Sequence, residues 1–266
     1  MQITVIDAFT DRPFAGNPAA VCPLPAGDWP AEEWLRRVAR ELNLSETAFV
    51  RPLPDGEWGL RWFTPVTEVR LCGHATLATA HALREQGLVG AEPVRFHTLS
   101  GVLTAEPRPD GRIALDLPTA ALTPTEVPEG LAEALGSPVL GCRETGELDI
   151  LVAELGSEHA VRALAPDLAA LTREVAVTAP AEDPASGYDF VSRFFAPTIG
   201  IPEDPVTGSA HTALAPFWAE RLGRTALTGY QASPRGGLVE CELAGDRVAV
   251  AGHAVSVLTG TLLATP

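Results

Sequence analysis

One design occurs twice in this chain, and a duplicated unit constrains the fold more than any single element does. The stretch Arg61–Ala78, RWFTPVTEVRLCGHATLA, opens with Arg, two aromatics, a small residue and Pro, then runs through a loop to Gly73. The stretch Arg193–Ala213, RFFAPTIGIPEDPVTGSAHTA, does the same and arrives at Gly208. Phe195 lies 132 residues after Phe63 and Gly208 lies 135 after Gly73, so the second copy carries a loop three residues longer. With 266 residues, 46% of them hydrophobic, the chain can bury two cores of ordinary size. The expectation is two similar domains, residues 1–117 and 118–266, with the last strand able to cross back to the first.

Each copy ends in a helix of unusual character. Ala75–Leu83 and Ala210–Trp218 are apolar almost all round, which marks helices buried on every side and able to sit inside a curled sheet. Gly73-His74 and Gly208-Ser209 stand where a loop becomes such a helix, and a helix start presents backbone N–H groups with the positive end of its dipole. A substrate carboxylate is a natural occupant of a pair of such ends, water being the bland one. Pro216, inside the second helix, must remove one of its backbone bonds.

Charge and composition remove several classes of function. The chain carries 34 acidic against 19 basic residues, a net charge of −15, which disfavours nucleic acid and anionic membranes as partners. Every basic residue is Arg, so Schiff-base lysine chemistry, and with it pyridoxal phosphate held as an imine, is excluded. Cys22, Cys72, Cys142 and Cys241 form no C-x-x-C pair, so neither a zinc site nor a redox motif is expected. Neither a GxGxxG nor a P-loop pattern is present, and the opening MQITVIDAFT alternates like a strand rather than reading as a signal peptide. No apolar run approaches membrane-spanning length. A reduced, cytoplasmic protein without metal or cofactor is expected.

Along the chain, Gln2–Phe9 and Ala19–Leu24 read as strands joined by the turn Asp11–Pro18, and Asp28–Leu42 as an amphipathic helix with Asp28 at its N-cap. Val94–Leu99, Val102–Ala105 and Arg112–Leu117 are antiparallel strands, and Pro118–Pro128 is the linker. The second half repeats strands near Leu148–Glu154, Glu174–Thr178 and Tyr188–Phe195, with helices near Pro128–Leu135 and His159–Leu171. Glu46 sits between a helix end and the half-buried strand Thr47–Val50. It reads either as a solvated edge carboxylate or as a general base whose proton affinity apolar neighbours raise. Asp204 reads as a turn residue before Pro205, with Glu203 as its solvated neighbour.

Four stretches resemble the motifs of the phenazine-biosynthesis PhzF-like isomerase family. They are NLSETAF at Asn43–Phe49, the copy at Arg61–Ala78, EDPVTGSAH at Glu203–His211 and GHAVSVLTG at Gly252–Gly260, spread over nearly the whole chain. The resemblance implies an α+β, diaminopimelate epimerase-like fold. Its two pseudo-symmetric domains are each a curled, mostly antiparallel, barrel-like sheet around a central buried helix. It implies that Glu46 is the acid/base moving a proton between carbons of a small cyclic acid, with His74, Asp204 and Ser209 around the substrate. It further implies that backbone groups at Gly73 and Gly208 bind a carboxylate, that no cofactor takes part, and that the chain is a homodimer.

Epimerases and racemases of this fold use two cysteines, one from each half, because inverting a stereocentre needs a base on one face and an acid on the other. Here Cys72 precedes Gly73, but Thr207 precedes Gly208, and a threonine hydroxyl is too weak an acid to serve as a thiolate-like base. A single carboxylate can still take a proton from one carbon and return it to another. The expected function is therefore a cofactor-independent isomerase of a small carboxylated metabolite, with Cys72 and Thr207 lining the substrate. The alternatives are an amino- or hydroxy-acid epimerase or racemase using Cys72, and a non-catalytic small-molecule-binding protein. Strands Gly237–Leu243 and Arg247–Ala251 carry apolar residues on both sides of their alternation, a surface that a second copy could cover.

Overall fold

The computed structural model describes residues 1–266, the side chain of residue 55 excepted. Backbone contacts divide it into two compact units, residues 1–116 with 251–266, and residues 117–250. The first holds β1 (Gln2–Ala8), β2 (Asn17–Pro23), α1 (Glu32–Leu42), β3 (Glu46–Pro52), β4 (Trp58–Phe63), β5 (Glu68–Val69), α2 (Gly73–Glu85), β6 (Val94–Thr98), β7 (Gly101–Pro107) and β8 (Ile113–Pro118). The second holds β9 (Thr123–Thr125), α3 (Leu131–Leu135), β10 (Val139–Glu144), β11 (Leu151–Leu155), α4 (Glu158–Ala163), β12 (Val175–Pro180), β13 (Phe190–Ala196), β14 (Ile201–Asp204), α5 (His211–Leu222), β15 (Ala226–Gln231), β16 (Gly237–Ala244) and β17 (Arg247–Gly252). The last strand, β18 (Ala254–Thr261), pairs with β1 in the first unit.

The sequence repeat is a repeat of topology. In the first unit β2 runs parallel to β3 and β4 parallel to β6, among otherwise antiparallel neighbours. In the second, β11 runs parallel to β12 and β13 to β15, again among antiparallel neighbours. A parallel neighbour requires a crossover connection. The helices α1, α2, α4 and α5 occupy those four crossovers.

Helix α2 is buried at Gly73–Ala80, Ala82 and Leu83, and it packs against β1, β2, β3, β7 and β18. Those strands lie toward opposite ends of the pairing order, so the sheet must curl around the helix. Its counterpart α5 buries Leu214, Phe217 and Trp218 among Phe190, Phe194 and Leu227. Pro216 cannot bond to the carbonyl of Thr212, and that carbonyl instead accepts from Ala120 N at 3.1 Å. Strands of the second unit are covered on both faces: Ala176 of β12 joins the α5 cluster, whereas Val175 and Val177 join the cluster of α3 and α4. Among the described residues, no helix is long and apolar enough to cross a membrane.

The Arg that opens each copy is a strut. Arg61 donates to both oxygens of Glu68 at 2.7 and 2.6 Å, and Arg193 donates to both oxygens of Glu203 at 2.7 and 2.9 Å. Each guanidinium also lies over the Phe two residues on, Arg61 over Phe63 at 5.1 Å and Arg193 over Phe195 at 4.9 Å. Glu203 is thus paired and only 18% exposed at its side chain, rather than the solvated neighbour of Asp204.

Several element bounds differ from the sequence reading. Helix α1 starts at Glu32, and Ala31 at its N-cap makes no side-chain cap bond. Asp28 lies outside it because the following Trp29-Pro30 runs extended, which brings Trp29 under the guanidinium groups of Arg51 and Arg61 at 4.9 and 5.5 Å. Helix α4 stops at Ala163 instead of reaching Leu171, three residues before Pro166. The expected linker contains β9, which pairs with β10. In β16 the alternation is regular, with Val239 and Cys241 buried and Leu238, Glu240 and Glu242 turned outward. The outward face of that strand is mainly polar, where apolar residues on both sides were expected.

Candidate active site

Glu46 opens β3, between its parallel partner Ala19 and the start of the pairing with β4. Side chains alternate along a strand, and Phe49 packs toward α1, so Glu46, Ala48 and Val50 face the other way, toward α2. The carboxylate is 7% exposed. His74, second residue of α2, brings Nε2 to 3.2 Å from Glu46 Oε2, close in distance but bent from the line of a good hydrogen bond. Cys72 is the extended N-cap residue of α2 and does not cap the helix with its thiol. Its Sγ lies 3.5 Å from His74 Nδ1, and the Asn17 side-chain Nδ2 lies 3.1 Å from the same nitrogen. The donor atoms of Glu46, Cys72 and His74 all fall within 4.8 Å of one another.

Burial alone pushes the His74 imidazole down to about 3, so the ring is neutral throughout the physiological range. His211 is likewise pushed down to about 4 by burial, with its Nδ1–H donating to Thr207 O at 2.9 Å. Both rings take up protons more readily when unfolded, near the ordinary value of 6.5. Their contribution to stability is therefore complete above about pH 6.5 and is lost as pH falls toward the folded values, at up to about 1.4 kcal/mol per pH unit for each ring. Urea unfolding at a series of pH values should show stability falling on acidification below 6.5. His211→Asn, which keeps a donor for Thr207 O, should make that fall shallower.

In the second unit, Asp204 ends β14 and is 5% exposed. Thr207 Oγ1 donates a short hydrogen bond to Asp204 Oδ2, and Gln231 Nε2 donates to Thr207 Oγ1 at 3.1 Å and to Asp204 O at 2.7 Å. Gln231 Oε1 in turn accepts from Thr207 N at 2.8 Å. The Thr207 hydroxyl is thus the middle of a donor chain that ends on Asp204. Gln231, 1% exposed at the end of β15, organises the whole turn and carried no motif in the sequence.

The two glycines are not equivalent. Gly73 is the first residue of α2, whereas Gly208 lies three residues before α5. A tighter turn fills the gap, with His211 N bonding Gly208 O at 3.2 Å and Thr212 N bonding Ser209 O at 3.0 Å. Register also locates a counterpart of Glu46. Val175 pairs with Phe195 as Thr47 pairs with Phe63, so Glu174 holds the position of Glu46. Its carboxyl is raised by burial and then by Asp149, but Ser209 stands where the first unit has His74. Only the first unit pairs a carboxylate with an imidazole at this position.

Residues 6–260 match the family model of phenazine biosynthesis-like proteins, PhzC-PhzF. The chain belongs to this family. An "uncharacterized isomerase" of Pseudomonas aeruginosa is 49% identical over 98% of this chain and 99% of its own length. A crystal structure of a PhzF-family phenazine biosynthesis protein from Enterococcus faecalis aligns with TM-score 0.88 at 39% identity, covering 97% of each chain. A probable proline racemase of Agrobacterium radiobacter, 14% identical with TM-score 0.63 over 100% of this chain and 93% of its own, shares the fold alone. The diaminopimelate epimerase-like architecture is thus that of this PhzF-family chain. The stretch NLSETAF at Asn43–Phe49 supplies the carboxylate of the pair and GHAT at Gly73–Thr76 the imidazole.

Proposed function

We propose that this PhzF-family chain is an isomerase that works without a cofactor and moves a proton between two carbons of a small, cyclic, carboxylated metabolite. The observation that carries the reading is the buried contact of Glu46 with His74. Glu46, as carboxylate, takes the proton from one carbon of a conjugated system; the electron pair left behind shifts along that system; and Glu46, now the acid, returns the proton to the far carbon. Atoms and charge are conserved, and no second base is required. Burial opposes a cationic ring and pushes the His74 imidazole down to about 3, so the proton is kept on Glu46 between the two steps. Within the second unit, Thr207 keeps Asp204 in place as a hydrogen-bond acceptor, and Gly208 and Ser209 follow at the turn into α5.

The racemase alternative needs Cys72 as a thiolate base. His74 Nδ1 already faces the Asn17 amide donor, so the Cys72 thiol near the same nitrogen can only be another donor, which is the protonated form. Cys72→Ala should therefore keep turnover within about tenfold of wild type, whereas loss of a nucleophile or base would cost at least about a hundredfold. A thermal-shift screen of cyclic carboxylates, followed by product analysis of those that stabilise the protein, tests the function itself. The reading predicts an isomer of at least one of them. Ligands that bind and are never converted would instead mark a binding protein.

A further inference from the structure

We propose that Asn17 is a positioning residue that sets the tautomer of His74, so that the ring offers its N–H, and no lone pair, to Glu46. The consequence for turnover rests on Glu46 being the acid/base, but the geometry does not. An amide Nδ2 has two hydrogens to donate and no lone pair to accept with. At 3.1 Å from His74 Nδ1 it therefore requires that nitrogen to be the acceptor. The Cys72 thiol, 3.5 Å from the same atom, adds a second donor. A neutral imidazole has one donor and one acceptor, so the hydrogen is on Nε2, the nitrogen 3.2 Å from Glu46 Oε2. The opposite tautomer would set a lone pair against the carboxylate at one end and an N–H against two donors at the other.

Asn17 is itself fixed. It is fully buried and pairs with Ala8 across the β1–β2 turn. Gly16 before it has φ +63, and a Cβ there would lie 2.1 Å from the Ala8 carbonyl oxygen, so only glycine lets the chain pass. Phe14 N donates to the buried Asp7 carboxylate at 2.7 Å and anchors the turn from the other side. An imidazole held in this tautomer has no lone pair facing Glu46 with which to take its proton, and burial opposes the cation that a second proton would make. The proton is thereby kept on Glu46 for delivery to substrate.

The test uses the full chain with 15N-labelled histidine and long-range 1H–15N correlation at neutral pH, the His74 signals being assigned by their loss in His74→Asn. Nδ1 should give a pyridine-type and Nε2 a pyrrole-type resonance. Asn17→Asp turns the donor into an acceptor and should bring the hydrogen to Nδ1. A protonated Nδ1 in the wild type, or an unprotonated Nδ1 in folded Asn17→Asp, overturns the proposal. If Asn17→Asp does not fold, Asn17→Leu removes the amide at similar size and should move the Nδ1 resonance toward that of an unbonded nitrogen, an unchanged resonance again overturning it. These spectra need no substrate, so their outcome is separate from whether Glu46 is the acid/base.

Discussion

Glu46→Gln is expected to lower turnover of the true substrate by about a thousandfold while leaving the protein folded. The side chain keeps its size and an oxygen that can accept from His74 Nε2, so the packing at the start of β3 should survive, with a melting temperature close to wild type. What it loses is the ability to exchange a proton at neutral pH. Because the imidazole is held near 3, His74 cannot substitute as a base, and no partial rescue by it is expected at neutral pH. Steady-state rates and thermal unfolding of wild type and variant, measured side by side, check both halves of the statement.

The largest effect on stability is expected at Arg193. Its side chain is 9% exposed, and it bonds both oxygens of Glu203, itself 18% exposed, along with the carbonyls of Leu164 at 2.7 Å and Val161 at 3.3 Å. Arg193→Ala leaves a largely buried carboxylate and two carbonyls without these donors, which should cost about 3–5 kcal/mol. Arg224 pairs with Asp189 but is 54% exposed, and Arg224→Ala should cost less than about 1 kcal/mol. Denaturant unfolding of the two variants separates these values easily.

The duplication was legible because the Arg–aromatic–aromatic motif keeps its chemistry in both copies, down to the Arg61–Glu68 and Arg193–Glu203 pairs. The buried helices α2 and α5 were legible from apolar runs too even for a surface helix. The family motifs marked Glu46 and His74, and the structure brings these two into contact. Asn17 and Gln231 were not legible, since each acts across a distance that strand register sets: 57 residues from Asn17 to His74, and 24 from Thr207 to Gln231. Glu174 was hidden because it follows Glu46 by 128 residues, whereas the surrounding motif repeats at 132 to 135. Helix ends failed where proline decides them, as at Pro30 and Pro166.

The most direct measurement of the central claim is conversion of a carboxylated metabolite in D2O, followed by NMR of the product. Transfer by the single carboxylate of Glu46 predicts a product whose double bond has moved, with deuterium at most at the carbon that received the proton and with the other stereocentres unchanged. A product that is the epimer of its substrate, with deuterium at the original carbon and the double bond in place, would contradict it.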